Sequence, residues 1–261
     1  MIHKSSVVSK KAFIHETTKI GPFCIIGDGV KIGKNNHLIS HVSITGNTSI
    51  ENNNSFYPFS SIGSDPQDLK YNNEKSFLKI GSNNKFRENV TINPGTHGGG
   101  LNTIIKNNCL FMVGSHIAHD CIINSNVILA NNATLAGHVE IDNNAIIGGN
   151  SAIHQFVRIG KYAMVGGMSG VEKDIIPYGL YTGIRENLKS LNIIGLKRKG
   201  LTSNSINEIK DLINVIFDKK NAIKNNIKNE IITKSEILEI NEIIDFLEFN
   251  SKRGITTFEN D

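Results

Sequence analysis

An apolar residue recurs at every sixth position through most of this chain. One series runs in steps of six from Ile2 to Ile62, and a second runs from Ile105 to Val171; every position in both is apolar. Neither the 3.6-residue period of an α-helix nor the two-residue alternation of a half-buried strand produces a strict period of six. A hexapeptide solenoid does, because each short strand with its turn forms one side of a triangular coil of 18 residues.

The residues between the apolar positions suit the corners of such a coil. The segments IGDGV, IENNN, IKNNC and IDNNA place Gly or Asn there, and both tolerate a positive φ. The chain has 24 Gly, no Trp and only 20% charged residues, a composition that favours β structure with many turns. The pattern therefore predicts a left-handed parallel β-helix over residues 1–186, an exception to the right-handed rule for parallel crossovers.

Two interruptions of the period predict protrusions from the coils. The hexad rule fails over residues 63–79, which contain the segment GSDPQDLKYNNEKSFLK, and we expect an excursion loop there. Ile92 and Ile105 are thirteen residues apart, one more than two hexads, with the extra residue near PGTHGGGLN. This spacing predicts a second protrusion or a bulged coil, and insertions in solenoids often project onto the binding face.

The period of six ends near Pro177, and a helical pattern replaces it. Apolar residues at helical spacing follow Ser203, which is the expected N-cap, and the segment 234–249 has the pattern of another helix. We expect a small α-helical domain over residues 187–261 that covers the open strand edge of the last coil.

Charge and cysteine content restrict the function only loosely. The net charge is +4, and the basic run LKRKG at 196–200 suits a nucleic acid, an anionic substrate or an acidic protein equally well. Three scattered cysteines without a CxxC pair favour reduced thiols in a cytoplasmic protein. The sequence has neither a signal-peptide pattern nor an apolar run long enough to span a membrane, so we expect neither feature.

The 18-residue coil places several polar residues of the second series side by side. Residues 18 apart lie on neighbouring coils, about 4.8 Å from each other. His119 therefore lies in one column with Gly137 and Gln155, and Asp120 lies in the next with His138 and Phe156. His116 and His154 fall in the same patch, which spans three coils.

This patch has three interpretations. His119 can act as a general base near neutral pH, with Asp120 to orient it and the Gly137 N–H to stabilise an oxyanion. Alternatively, the histidines decorate a polar surface, or His116, His119 and His138 bind zinc as in β-helix proteins similar to the γ-class carbonic anhydrases. A zinc-dependent hydratase and a non-catalytic scaffold are the corresponding alternative functions.

Several longer motifs identify a family that this chain resembles. They are IGPFCIIG (20–27), QDLKY (67–71), HIAHDC (116–121), LANNATLAGHV (129–139), IIGG (146–149), HQF (154–156), MVGG (164–167) and NIIGLKRKG (192–200). Over essentially its full length, the chain resembles the UDP-N-acetylglucosamine 3-O-acyltransferases of lipid A synthesis. QDLKY together with HIAHDC and LAGHV is far more specific than the hexads, which indicate only a broad acyltransferase superfamily.

The resemblance implies a mechanism and an assembly. It implies a homotrimer with active sites between neighbouring prisms, in which acyl carrier protein delivers a 3-hydroxyacyl thioester and the sugar 3-hydroxyl attacks it. His119 matches the family's general base, Asp120 its partner and Gly137 the oxyanion donor. No covalent acyl-enzyme, cofactor, metal or nucleic acid is expected.

The resemblance also implies a set of substrate-binding residues. Asp68 and Lys70 match sugar and phosphate contacts, and Gly167 matches the position that limits acyl-chain depth, where Gly favours a longer 3-hydroxyacyl chain. The complete set is Gln67, Asp68, Lys70, His116, His138, Gly149, His154, Gln155, Gly167, Asn192, Arg198 and Lys199.

The sequence departs from the family pattern at three places. Ile194 stands where Glu is frequent, Lys199 where Arg is frequent, and NPGT (93–96) where HRGT is common. The sibling N-acyltransferase of the same pathway is the nearest alternative. It has a separate uridine-binding domain before the β-helix, whereas the hexads here begin at Ile2, so we expect the O-acyltransferase.

Overall fold

The structure is a computed structural model that describes residues 1–233 and 235–258. Short strands form three parallel sheets, one on each side of a triangular prism. The first sheet contains Val7–Val8, Ile25–Ile26, Ser43–Ile44, Ser61–Ile62, Thr91–Ile92, His116–Ile117, Thr134–Leu135, Ala152–Ile153 and Gly170–Val171. The second contains Phe13–Ile14, Lys31–Ile32, Asn47–Ile50, Phe77–Ile80, Asn102–Ile105, Ile122–Ile123, Glu140–Ile141 and Arg158–Ile159.

The third sheet closes the prism and leads into the C-terminal helices. It contains Lys19–Ile20, His37–Leu38, Ser55–Phe56, Lys85–Phe86, Leu110–Phe111, Ile128–Leu129, Ile146–Ile147, Met164–Val165, Gly179–Tyr181 and the antiparallel strand Leu188–Leu191. The helices are α1 (Ile193–Arg198), α2 (Ser203–Ile216), α3 (Ile223–Asn226), α4 (Glu230–Thr233) and α5 (Leu238–Glu248). The predicted left-handed parallel β-helix with a C-terminal helical part is confirmed.

The apolar residue of each hexad points into the prism and packs on its equivalent one coil away. Ile117 pairs with Leu135, which is 18 residues later, and both side chains are fully buried. Phe56, Phe86 and Phe111 stack with ring centroids 4.7 and 5.0 Å apart. Burial of such side chains contributes about 1.5–3 kcal/mol each, and this column of contacts is why the period of six determines the fold.

Strand register measures the two insertions. Ser61 pairs with Thr91 across a 30-residue separation, so twelve residues are added to one coil before the strand that begins at Phe77. Thr91 pairs with His116 across 25 residues, so the next coil has seven extra residues. The expectation of a single extra residue between Ile92 and Ile105 is therefore wrong. The thirteen residues are one hexad and a seven-residue insertion, which includes the 3₁₀ turn His97–Gly99.

The C-terminal helices differ from the sequence pattern at their ends. The N-cap of α2 is Thr202, whose side chain accepts a hydrogen bond from the Ser205 N–H, so the expected N-cap at Ser203 is wrong by one residue. The helix expected over 234–249 is α5, and Lys234 lies outside the described residues. The division into domains 1–186 and 187–261 stays a prediction. No helix among the described residues is long and apolar enough to span a membrane.

Candidate active site

His119 and Asp120 lie at the corner where the first and second sheets meet, between the strands His116–Ile117 and Ile122–Ile123. Asp120, His138 and Phe156 occupy the same corner of successive coils, with φ values of 60°, 62° and 65°. The His138 N–H donates to the His119 carbonyl, and the His138 ring stacks on Phe156 with centroids 4.3 Å apart. The column expected from the 18-residue period therefore exists.

The His119 imidazole is hydrogen-bonded to the carboxylate of the next residue. Its Nδ1 lies 2.8 Å from Asp120 Oδ2, and each residue is only 6% exposed. With Nδ1–H donating to the carboxylate, Nε2 of the neutral ring is left as an acceptor. This arrangement can take a proton from a hydroxyl group and stabilise the resulting imidazolium through Asp120.

Two threonines that the sequence interpretation missed fix the Asp120 carboxylate and its backbone. Thr96 donates from its N–H to Asp120 Oδ1 at 2.9 Å and from Oγ1 to Oδ2 at 2.6 Å. The Asp120 N–H donates to Thr103 Oγ1 at 2.8 Å. Burial alone would raise the pKa of the Asp120 carboxyl, but the hydrogen bonds from His119 and Thr96 outweigh it and lower the pKa. Thr96 could have been suspected, because it lies in the second insertion.

Gly137 lies directly against the face of His119. A Cβ atom added to Gly137 would lie 2.5 Å from His119 Cε1 and 2.6 Å from Nε2, so only glycine fits there. Among residues 1–233 and 235–258, the Gly137 N–H has no hydrogen-bond acceptor. A backbone donor without an acceptor beside a proton-accepting nitrogen is the geometry that oxyanion stabilisation requires.

The excursion loop reaches over this corner. Asp68 Oδ2 lies 3.9 Å from His119 Nε2, and the Asp68 side chain is 27% exposed. Asp68 Oδ1 accepts the Lys70 N–H at 3.0 Å, which turns the loop at its tip. Gln67 and Lys70 are exposed beside it. The loop thus brings a carboxylate to the same imidazole nitrogen that Asp120 leaves free.

The remaining histidines of the patch differ in burial. His116 Nδ1 lies 2.7 Å from Thr91 Oγ1, and burial, with a smaller contribution from His119, lowers the His116 pKa. His138 meets His119 edge to face at 5.0 Å, and burial lowers its pKa although the Asp120 charge opposes the shift. His154 and its neighbour Gln155 are exposed on the following coil.

The metal hypothesis keeps only part of its predicted ligand set. His119, Asp120 and His138 each offer one ligand atom within 4.8 Å of the others, whereas His116 is not a member of this group. The Asp120 carboxylate already accepts bonds from Thr96 and His119, so an ion would have to displace these donors.

A second group of predicted residues lies elsewhere on the prism. Asn192, Arg198 and Lys199 line a cavity of about 450 Å³ beside the third sheet, together with Ile194. The Asn192 side chain caps α1 by accepting the Gly195 N–H at 3.0 Å, and Arg198 is exposed. The described chain by itself does not bring this group to His119, because the two lie at different sides of the prism.

Lys199 differs from Arg198 in that its ammonium group already has partners. Its Nζ donates to Glu239 Oε1 at 2.6 Å and to the Tyr178 hydroxyl at 2.9 Å. It also lies over the Tyr178 ring, 5.0 Å from the centroid. Lys199 therefore links the end of α1 to α5, and Arg198 is the more accessible cation.

Gly149 and Gly167 occupy the corner between the third and first sheets. A Cβ atom on Gly167 would lie 3.2 Å from the Gly149 carbonyl oxygen, and one on Gly149 would lie 3.2 Å from the Asn131 carbonyl oxygen. The two glycines thus lie on successive coils and leave a surface strip without side chains.

Comparisons with known proteins agree with this fold and site. Residues 174–256 match the family described as UDP N-acetylglucosamine O-acyltransferase, domain 2, and residues 102–137 match the bacterial transferase hexapeptide of six repeats. The acyl-[acyl-carrier-protein]–UDP-N-acetylglucosamine O-acyltransferase of Rickettsia bellii is 52% identical over 259 residues, which are 99% of this chain and 92% of that protein. The protein of the same name from Thermodesulfovibrio yellowstonii is 48% identical over 256 residues, 97% of this chain and 98% of that one.

A solved structure extends the similarity to three dimensions. The LpxA structure from Acinetobacter baumannii superposes with a TM-score of 0.93 at 40% identity, covering 98% of this chain and 99% of that one. The hexapeptide coils and the corner histidine therefore place the protein among the hexapeptide-repeat acyltransferases. Within that class, the chain belongs to the family of acyl-[acyl-carrier-protein]–UDP-N-acetylglucosamine O-acyltransferases. The resemblance read from its motifs is confirmed.

Proposed function

We propose that this chain transfers a 3-hydroxyacyl group from acyl carrier protein to the 3-hydroxyl of UDP-N-acetylglucosamine, the first step of lipid A biosynthesis. The family membership supports the substrates, and the His119–Asp120 pair beside Gly137 supports the chemistry. We also propose a cytoplasmic location, since acyl carrier protein is a cytoplasmic donor and the three cysteines are free thiols.

The arrangement suggests a direct transfer without a covalent enzyme intermediate. His119 Nε2 accepts the proton of the sugar hydroxyl as its oxygen attacks the thioester carbonyl carbon. The Gly137 N–H donates to the oxyanion of the tetrahedral intermediate, and Asp120 stabilises the imidazolium. Collapse breaks the carbon–sulfur bond, and His119 returns the proton to the leaving thiolate.

The residues around His119 have the chemistry that a hydroxylated sugar requires. In this proposal Asp68 accepts a hydrogen bond from a sugar hydroxyl, while Gln67, Lys70, His116 and His138 complete the contacts. On the following coil, His154 and Gln155 are exposed and free to meet the amide or the acyl chain. These roles agree with the polar, partly buried character of the corner.

A homotrimer would unite the two groups of predicted residues. His119 lies at the edge of the first sheet that meets the second, and the Asn192 cavity includes Asn126 and Asn144 at the edge of the third sheet that meets the second. If the first sheet of one chain faces the third sheet of the next, both groups line the outer edge of one cleft. The corner between these two sheets would then face the threefold axis.

The surface of that corner fits an axial position. On the N-terminal coils, Phe23, His41 and Phe59 form a column of rings with centroids 4.9 and 5.1 Å apart. Phe23 is 58% and Phe59 61% exposed in the single chain, so burial against two neighbours would stabilise the assembly.

The cleft would bind the nucleotide at one end and the acyl chain along its wall. Asn192 and Arg198 line the cavity of about 450 Å³, where the guanidinium fork suits a diphosphate. Lys199 is a weaker candidate for direct contact because Glu239 holds it. Gly149 and Gly167 would leave room for the acyl chain, and we expect a preference for a longer 3-hydroxyacyl group.

The test is a transfer assay with purified protein. UDP-N-acetylglucosamine and 3-hydroxyacyl carrier proteins of several chain lengths are supplied, and mass spectrometry identifies the product. We expect acylated UDP-N-acetylglucosamine, with no transfer to the amine of UDP-3-O-acylglucosamine. Absence of ester product with every chain length, or acylation of the amine alone, would refute the proposal.

Mixed trimers test whether each site uses two chains. Neither His119→Ala nor Arg198→Ala protein should be active alone at low nucleotide concentration. When equal amounts are refolded together, about a quarter of the sites receive both wild-type residues by random assembly, so activity returns to that level. Activity that stays at the sum of the two separate variants would contradict a shared site.

The zinc-dependent hydratase remains the second candidate because His119, Asp120 and His138 offer a compact ligand group. Its test is metal analysis of the purified protein and an assay after dialysis against a strong chelator. We expect full transferase activity without metal. Stoichiometric zinc whose removal abolishes turnover would favour a metal mechanism instead.

A further inference from the structure

The two insertions in the β-helix hold each other by specific hydrogen bonds. We call residues 63–76 the excursion loop and residues 93–101 the protrusion. From the excursion loop, Glu74 Oε1 accepts the His97 N–H of the protrusion at 2.9 Å. In the opposite direction, Asn93 Nδ2 of the protrusion donates to the Ser64 carbonyl at 2.9 Å and to the Asp65 carbonyl at 3.1 Å.

Glu74 is suited to this linking role because its carboxylate is kept ionised. Its second oxygen, Oε2, accepts the Asn72 N–H at 2.8 Å. The backbone hydrogen bonds from His97 and then from Asn72 lower the pKa of the Glu74 carboxyl. A charged acceptor bound to two backbone donors makes stronger hydrogen bonds than a neutral acceptor does.

The protrusion ends on the Asp120 carboxylate. Thr96, which precedes His97 directly, donates both its N–H and its hydroxyl to Asp120. A Cβ atom on Gly99 would lie 2.0 Å from Asp120 Cγ, so the protrusion backbone packs against the carboxylate itself. The bond to Glu74 and the bonds to Asp120 therefore restrain adjacent peptide groups.

The excursion loop ends on the other side of the same pair. Asp68 Oδ2 lies 3.9 Å from His119 Nε2, whereas Asp120 binds Nδ1. A closed circuit of contacts thus runs from His119 through Asp120 and Thr96 to Glu74, and back along the excursion loop to Asp68. Each link is a hydrogen bond except the last, which is the 3.9 Å approach.

We propose that the two insertions act as one clamp on the His119–Asp120 pair, and that Glu74 is a positioning residue for this pair. The inference rests on the proposed function, since it concerns the same transfer reaction. The protrusion contains three consecutive glycines at 98–100, which alone would leave Thr96 free to move. Glu74 removes that freedom and holds the Thr96 donors on Asp120 in the orientation that the His119 tautomer needs.

A double-mutant cycle tests the clamp. Glu74→Ala removes the acceptor for His97, Thr96→Val removes the hydroxyl that binds Asp120, and the double variant combines them. We expect each single change to lower kcat about tenfold, the size of one lost hydrogen bond to a charged group. Because both act through Asp120, the double variant should be no slower than the slower single variant by more than about twofold.

Two further variants separate positioning from simple loss of structure. Glu74→Gln keeps one side-chain oxygen as an acceptor and should recover part of kcat. Glu51→Ala is the matched control, since Glu51 is also a surface carboxylate that accepts one hydrogen bond, from Ser82 Oγ at 3.0 Å, and lies away from the corner. It should leave kcat unchanged.

The outcomes distinguish the inference from the proposed function. Additive losses in the double variant, a Glu74→Ala effect on KM alone, or wild-type kcat in Glu74→Ala would overturn the clamp while the transferase activity stands. Absence of transfer by the wild-type protein would instead overturn the proposed function. Circular dichroism melting of each variant, compared with wild type, verifies that the assay temperature lies below unfolding.

Discussion

Replacement of Gly137 by alanine should inactivate the enzyme while it leaves the backbone donor in place. The added methyl carbon would lie 2.5 Å from His119 Cε1 and 2.6 Å from Nε2. Gly137 does not adopt a left-handed φ, so alanine meets no backbone obstacle there. The perturbation therefore acts on the imidazole.

The size of the effect follows from these distances. Carbon atoms in contact lie about 3.5–4.0 Å apart, so the ring must move by roughly 1 Å. His119 Nδ1 is held at 2.8 Å by Asp120, and the displacement therefore moves Nε2 away from its working position. A misplacement of about 1 Å costs on the order of 10²-fold in rate, which is the fall in kcat that we expect.

The assay is acyl transfer at saturating concentrations of both substrates. Gly27→Ala is the matched control, because a Cβ on this corner glycine meets nothing closer than 3.4 Å and Gly27 lies on an N-terminal coil. We expect near wild-type kcat for Gly27→Ala. If Gly137→Ala also keeps wild-type kcat, the packing of the imidazole against this glycine does not control catalysis and the reasoning is refuted.

Two further predictions concern Lys199 and the buried histidines. Lys199→Ala leaves the Glu239 carboxylate without its cation and should reduce the free energy of unfolding by about 3 kcal/mol, measured as a lower Tm by calorimetry. Arg198→Ala should leave Tm unchanged and raise KM for UDP-N-acetylglucosamine about tenfold; the reverse pattern would contradict this division. Burial lowers the pKa of His116 and His138 below the value of about 6.5 in the unfolded chain. The unfolded state therefore binds more protons just below that pH, so stability should fall as pH falls through about 6.5, and His138→Gln should flatten this slope in denaturant titrations.

The period of six allowed the fold and part of the site to be predicted. It placed Gly137 beside His119, and His138 with Phe156 above Asp120, because every coil between residues 105 and 171 has the same length. Arithmetic fails wherever the length of a coil changes. The twelve-residue and seven-residue insertions could not be aligned from spacing, so the contacts of Thr96 with Asp120 and the approach of Asp68 to His119 were not expected.

Side-chain partners outside the repeat were equally beyond the pattern. The sequence marks Lys199 as one member of a basic run, whereas the structure pairs it with Glu239, forty residues later on α5. No period connects the two segments, because the pairing depends on how the helices pack against the last coil. The N-cap of α2 at Thr202 rather than Ser203 is a smaller case, since both hydroxyl residues satisfy the same pattern.

The most direct test of the account is the turnover of the His119→Ala variant at saturating substrate concentrations. General-base catalysis contributes about 10²–10⁴-fold, so kcat should fall by at least 10²-fold while the variant remains folded and still binds UDP-N-acetylglucosamine. A variant that retains wild-type kcat would contradict the assignment of His119 as the base and, with it, the proposed mechanism.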